Sequence, residues 1–212
     1  MLKLIKKELT LNVPAPLYLL SLLAAMILIP NYPYIVGIGY TIMQVMLYMQ
    51  TVQVNLSQEF SAMLPVKRSD VVTSSTLVIV LFQTLTVLLT ICLLPLAKTL
   101  YPNGNIVGMD ANFTFVGVAL ICLATFNATF IPNYFKTGYK YGMPLLWGLI
   151  AFVLTYAVCE VFVQVFAHLF EGYSLQTIAV RLVVLFVGIA IYTLTTLFAN
   201  KRAIEKFKRV NL

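Results

Sequence analysis

VVTSSTLVIVLFQTLTVLLTICLLPLA, residues 71–97, runs for 27 positions without a charged side chain. A helix needs about 20 apolar residues to cross a hydrocarbon core about 30 Å thick, so this run spans with residues to spare. It lacks the alternation of a barrel strand, and its backbone groups must be satisfied within the segment, so it is a helix. Similar runs, bounded by Pro, Gly, Asn and charge, lie near 14–31, 34–53, 112–133, 142–169 and 175–199. Six crossings use nearly the whole 212 residues, so residues 1–212 read as a single transmembrane unit with no separate soluble domain. Composition agrees: 61% of residues are hydrophobic and 10% are charged, against roughly 25% charged in a soluble domain. The expected fold class is an all-α polytopic membrane protein with six transmembrane helices.

Charge then sets an orientation. With the amino terminus inside, the inner segments hold Lys3, Lys6, Lys7, Lys67, Arg68, Lys136, Lys140, Lys201, Arg202, Lys206, Lys208 and Arg209. The outer half holds only Lys98 and Arg181. Positive residues resist translocation, so both termini are expected in the cytoplasm, and this bias accounts for most of the net charge of +7. Nucleic-acid binding is excluded as its source, because no soluble module presents the lysines. Cys92, Cys122 and Cys159 sit singly in apolar runs and read as packing residues. No small-residue cleavage site stands out after Lys7, so the first hydrophobic segment is expected to stay.

Two terminal pieces are amphipathic. Leu2, Ile5 and Leu9 recur at helical spacing with Lys3, Lys6 and Lys7 turned elsewhere, the pattern of an elbow helix lying in the membrane interface. A disordered basic flank is the other reading. Near the carboxyl end, Ile204 and Phe207 stand among Lys201, Arg202, Lys206, Lys208 and Arg209, which suits anionic lipid. Between the second and third runs, Leu56, Phe60, Met63 and Leu64 share one apolar helical face. Pro65 stops that helix, and Ser69 or Asp70 is placed to cap the next one. The apolar face must be covered by lipid headgroups or by a protein partner.

The run Glu59-Phe-Ser-Ala-Met-Leu-Pro-Val-Lys-Arg-Ser-Asp-Val-Val72 resembles the Phe, Leu-Pro-Val and Arg segment between the second and third spans of bacterial ABC-2 type transporter permeases. Size, six-span layout, basic elbow and basic tail are similar over essentially the whole chain. The subgroup it resembles contains small permeases with separately encoded ATPases, including exporters of phenol-soluble modulins and lantibiotics. The resemblance implies a bacterial plasma membrane and a cytoplasmic coupling helix at about 55–64 that docks on the ATPase. Glu59, Phe60, Met63 and Leu64 would be its contact residues, with Lys67 and Arg68 either pairing with acidic ATPase residues or serving only the inside charge bias. The chain has no Gly-x-x-x-x-Gly-Lys-[Ser/Thr] loop, so no cofactor is expected in it, and ATP and Mg belong to the partner ATPase.

Polar residues inside the spans are candidate sites because an ionisable group there costs a few kcal/mol or more. Tyr156, Glu160, Gln164 and His168 follow at steps of four and share a face. Arg181 enters the sixth span at a depth similar to that of Glu160, roughly 10 Å below the outer surface. The group Tyr156, Glu160, Gln164 and Arg181 is either a buried ion pair locking spans five and six or a polar patch on an export path. In span two, Thr41, Gln44, Tyr48, Thr51 and Asn55 form a stripe, lining a path or a subunit interface, or simply bonding between helices. No catalytic or metal cluster appears at useful spacing, so the chain is not expected to be an enzyme.

Two functions compete. One is a permease subunit of an ATP-driven exporter of amphipathic or hydrophobic substrates, working as a homo- or heterodimer of permeases with ATPase subunits. The other is a non-transporting regulatory or assembly protein that binds a cytoplasmic partner through residues 55–70.

Overall fold

The computed structural model describes residues 2–63, 65–102, 104–138, 140–170 and 175–209; among these there are helices and no strand. Five helices are long and apolar enough to span: α3 (Ile35–Val54), α5 (Arg68–Leu100), α6 (Phe113–Lys136), α7 (Gly142–Val165) and α9 (Leu175–Lys208). Shorter pieces are α1 (Leu2–Leu11), α2 (Ala15–Leu20), α4 (Ser57–Met63) and α8 (Ala167–Phe170). A sixth crossing requires the bent pair formed by α1 and residues 15–28 to count as one span.

That first segment departs from a plain α-helix for a local reason. α1 and the stretch after it meet at 91°, because Pro14 sits extended (φ −69°, ψ 153°) ahead of α2, and a ring-locked φ without an N–H donor cannot continue the first helix. After α2 the chain tightens into a 3₁₀-helix from Ser21 to Leu28. Gln44 of α3 donates its Nε2 to the Leu17 carbonyl at 2.9 Å and to Ser21 Oγ at 2.7 Å. The Leu17 oxygen is the acceptor that an α-helix would offer to the Ser21 N–H; that N–H instead reaches Tyr18 and Leu19. A 3₁₀-helix rises about 2.0 Å per residue, so the short stretch still extends roughly 25 Å, near the thickness of the hydrocarbon core.

α6 is the central helix: 78% of its apolar window is buried, against 22% in α9 and 11% in α7. α6 and α9 cross on Gly117 and Gly188. A Cβ on Gly188 would lie 2.5 Å from the Gly117 carbonyl oxygen, and one on Gly117 would lie 2.6 Å from the Val184 carbonyl oxygen. Only backbone fits at that crossing. Higher on α6, Asn112 caps the helix through its side chain, accepting from the N–H groups of Thr114 and Phe115 at 2.9 and 3.1 Å.

At the end rich in lysine and arginine, Phe126, Phe130 and Tyr134 stack along α6 with centroids 5.2 and 5.6 Å apart. Phe135 beside them packs edge-on against Phe207 of α9 at 5.6 Å. α5 begins at Arg68 after an extended Lys67 without a side-chain cap, so neither Ser69 nor Asp70 plays the capping part expected of it. Asp70 lies inside the first turn, where its charge still favours the helix dipole. The run expected to be continuous over 142–169 is broken at Phe166 (φ −105°, ψ 31°), which separates α7 from α8.

Candidate functional site

α4 has seven residues, too few to hold helical shape in water unaided. It follows α3 through Asn55 and Leu56, and Leu56 is in the left-handed region (φ +47°). Its shape and direction come from α1. Lys7 donates its Nζ to the Ser57 carbonyl at 3.0 Å, to Ser61 Oγ at 2.6 Å and to Glu8 Oε1 at 3.3 Å, and it lies 5.9 Å from the Phe60 ring centre. Asn12 bridges Ser57 Oγ at 2.8 Å and Glu8 Oε2 at 2.6 Å. Asn55 donates to the Leu11 carbonyl at 2.6 Å.

Glu8 sits at the centre of this cluster with 3% of its surface exposed. Its second oxygen also accepts from Tyr48 of α3 at 2.8 Å. Every oxygen of the buried carboxylate therefore has a donor, the condition under which a buried ion pair is tolerated. Three helices, α1, α3 and α4, are tied together there.

The apolar side of α4 and of the residue before it is open at the surface beside this anchorage, with the Phe60 ring next to Lys7. Leu56, Phe60 and Met63 are 58%, 51% and 83% exposed. Glu59 is exposed beside them. Leu64, the fourth apolar residue expected on this face, lies outside the described residues. Lys67 is exposed, whereas Arg68 turns to the end of α9: its guanidinium sits 5.8 Å from the Phe207 ring centre, and Nη1 lies 3.4 Å from the carbonyl oxygens of Phe207 and Lys208. Arg68 thus meets the carbonyls left open at a helix C-terminus.

The polar stripe of α3 is bonded largely within the chain. Thr41, Gln44 and Tyr48 are buried, Thr41 bonds its own helix at the Ile38 carbonyl, and Thr51 bonds the Leu47 carbonyl. Gln44 and Tyr48 tie α3 to the first segment and to Glu8. The open space of α3 lies on a neighbouring, apolar face. Between α3 and α7 runs a groove of about 640 Å³, lined by residues such as Ile42, Met43, Met46, Leu149 and Phe152, with Tyr156 among its lining residues. That volume suits a lipid- or drug-sized molecule.

Beside the groove, Tyr156, Glu160 and Gln164 are brought together on α7. Gln164 donates to Glu160 Oε1 at 2.6 Å, and the Tyr156 hydroxyl and Glu160 Oε1 both face the same spot beside Gly108. Arg181 is directed elsewhere, donating Nε to the Phe170 carbonyl at 2.8 Å. The expected Glu160–Arg181 pair is absent among the described residues; Arg181 is instead held at the carbonyl of Phe170, the last residue of α8. Glu160 Oε2 is buried without a partner. Above it, the loop after α5 is pinned by Tyr101 to the Leu28 carbonyl at 2.9 Å and by Asn105 to the Tyr32 carbonyl at 3.0 Å. Gly108 (φ +106°) lets that loop approach closely: a Cβ there would stand 3.3 Å from the Tyr156 hydroxyl and 3.5 Å from Glu160 Oε1.

Two polar clusters escaped the reading of the sequence. Glu8 and Asn12 are four apart on one helix face, a spacing that signals a shared partner, but the lysines around them masked it. Gln83 of α5 and Asn127 of α6 exchange reciprocal amide bonds at 2.9 Å, Tyr192 of α9 donates to Gln83 at 2.7 Å, and Asn127 donates to Thr196 at 3.1 Å. Each amide stands alone in an apolar run, and an isolated amide there signals a partner without naming it.

Against known proteins, a model of the family described as "ABC-2 family transporter protein" matches residues 3–201, nearly the whole chain. No curated protein and no solved structure matches it.

Proposed function

Because the chain belongs to the ABC-2 transporter family, and so is a multi-pass membrane permease component, we propose that it is the permease subunit of an ATP-driven exporter in a bacterial plasma membrane. ATP and Mg are bound by a separate ATPase, and this chain performs no chemistry of its own. The observation that carries the reading is α4: a short helix whose exposed Phe60 and Met63 stand at the lysine-rich end with Glu59 beside them. An apolar pair on a rigidly held surface helix is a docking anchor for a protein groove. On the positive-inside rule this end is cytoplasmic, where the ATPase resides.

The groove between α3 and α7 supports an amphipathic or hydrophobic cargo, since its lining offers packing and almost no hydrogen-bonding code. The exposed apolar face of α7 is suited to lipid or to a second permease subunit, identical or related, and the basic tail to anionic lipid. A regulatory protein without transport would use the same α4 surface but has no need of the groove.

The test is co-purification. The wild-type chain brings down an ATPase carrying a phosphate loop, and Phe60→Asp with Met63→Asp lowers that recovery by about tenfold or more, the loss expected when two central anchors are removed. Undiminished recovery, or no ATPase with the wild type, overturns the reading.

A further inference from the structure

We propose that the largely enclosed pair Lys7 and Glu8 is a positioning device: it locks the coupling helix α4 onto the elbow helix α1, so that a push on α4 moves α1 and α3 together. The proposal rests on the permease reading above, and deepens it by naming the residues that transmit the stroke.

α4 hangs from α3 by Leu56, a single residue at φ +47°, and has too few residues to be rigid by itself. A helix hung that way would rotate under load, and the load would stay in the joint. Asn12 on Ser57 Oγ and Asn55 on the Leu11 carbonyl hold the start of α4; its rotation is set from 50 residues away in sequence by Lys7 on the Ser57 carbonyl, and from 54 away by Lys7 on Ser61 Oγ. These two acceptors lie one turn apart on α4, so a single ammonium fixes its rotation. The Ser61 hydroxyl can accept from Lys7 because its own proton goes to the Ser57 carbonyl at 2.7 Å. Glu8 holds the ammonium in place and is itself held by Tyr48 of α3. The side chains of Lys7 and Glu8 are 12% and 4% exposed, so water does not loosen the arrangement. Lys3 and Lys6 of the same helix are exposed, so the orientation bias of a basic elbow does not require Lys7 to be enclosed.

The experiment uses the full chain in lipid nanodiscs, alone and with the ATPase that co-purifies. Lys7→Met and Glu8→Gln are compared with Lys7→Arg, which retains a cation able to reach the same acceptors, and with Ser61→Ala, a mild change should the first two fold poorly. Expected are amide exchange over residues 57–63 faster by roughly tenfold in Lys7→Met and Glu8→Gln, a smaller rise in Ser61→Ala, and rates near wild type in Lys7→Arg. With the ATPase present, the same order appears in ATP turnover per bound ATPase, while the amount bound changes less than turnover. Unchanged exchange in both Lys7→Met and Ser61→Ala overturns the proposal. So does faster exchange with unchanged turnover, which marks the cluster as purely structural. A wild-type chain that binds no ATPase overturns the permease reading and the coupling role with it, and the exchange rates then still decide whether Lys7 fixes α4.

Discussion

Gln83 and Asn127 place two amides face to face between α5 and α6, and the 2.9 Å bonds in both directions leave neither group seeking a partner. Tyr192 and Thr196 extend the pair to α9, so one polar layer joins three helices. Asn127→Leu keeps the volume and strands the Gln83 amide, with an expected loss of about 1–2 kcal/mol, read as a lower midpoint of thermal unfolding in detergent. Removing the partners as well, in Asn127→Leu with Gln83→Leu and Tyr192→Phe, recovers part of that loss, since the Thr196 hydroxyl can turn to its own helix backbone. A triple variant no more stable than the single one would show that the layer does not act as a unit. Glu160 invites the opposite outcome. Its Oε2 is buried without a donor, and Arg181 is committed to the Phe170 carbonyl, so Glu160→Gln removes a charge that has no counter-ion among the described residues. Folded yield of Glu160→Gln is expected to equal or exceed that of the wild type; a severalfold fall would restore a salt bridge to the account.

Between elements, the crossing of α6 and α9 has the least tolerance. Gly188→Ala would place a methyl group 2.5 Å from the Gly117 carbonyl oxygen, and backbone cannot step aside as a flexible side chain does. The helices must separate, at a cost of about 1–3 kcal/mol. Gly39→Ala on α3 is the control, since its nearest neighbour outside its own helix would be Phe152 at 4.0 Å. Equal thermal midpoints for the two variants would refute the close-crossing argument. How far the elements were legible follows from what each one responds to. Residues 71–97 answer to the bilayer alone, and an uncharged run of that length has one solution, so the all-α polytopic class could be read from composition and run length. The stretch 14–31 answers also to Gln44, whose claim on the Leu17 carbonyl, 27 residues back, accompanies the change to 3₁₀ geometry. No window of local hydropathy contains that claim. The Arg181 pairing was misjudged for a related reason: matched depth ignored the backbone carbonyl at the end of α8, and the end of so short a helix leaves no mark on an apolar run.

On the scale of the molecule, polarity is divided between the two ends and the flanks are apolar. Lys7, Lys67, Arg68, Lys201 and Lys206 gather at the end that carries α1, α4 and the tail of α9, with Lys206 bonded to Asn133 of α6 at 3.2 Å. The opposite end holds the loop over Tyr156 and Glu160, where the chain between Tyr101 and Asn112 has no lysine or arginine. Moving a cluster of cations across a bilayer is far more costly than moving a neutral loop, so the charge division predicts one orientation, with the lysine-rich end inside. Two exposed positions read it out. Ile106 is 86% exposed on the loop, and Lys201 is exposed on the tail of α9. The three native cysteines lie within α5, α6 and α7, and each is first replaced by alanine or serine. A membrane-impermeant maleimide added to intact cells is then expected to label Ile106→Cys at once and Lys201→Cys only after the membrane is opened. The reverse pattern would place α4 outside, where no ATP is available, and would remove the coupling role from Phe60, Met63 and the Lys7–Glu8 lock together.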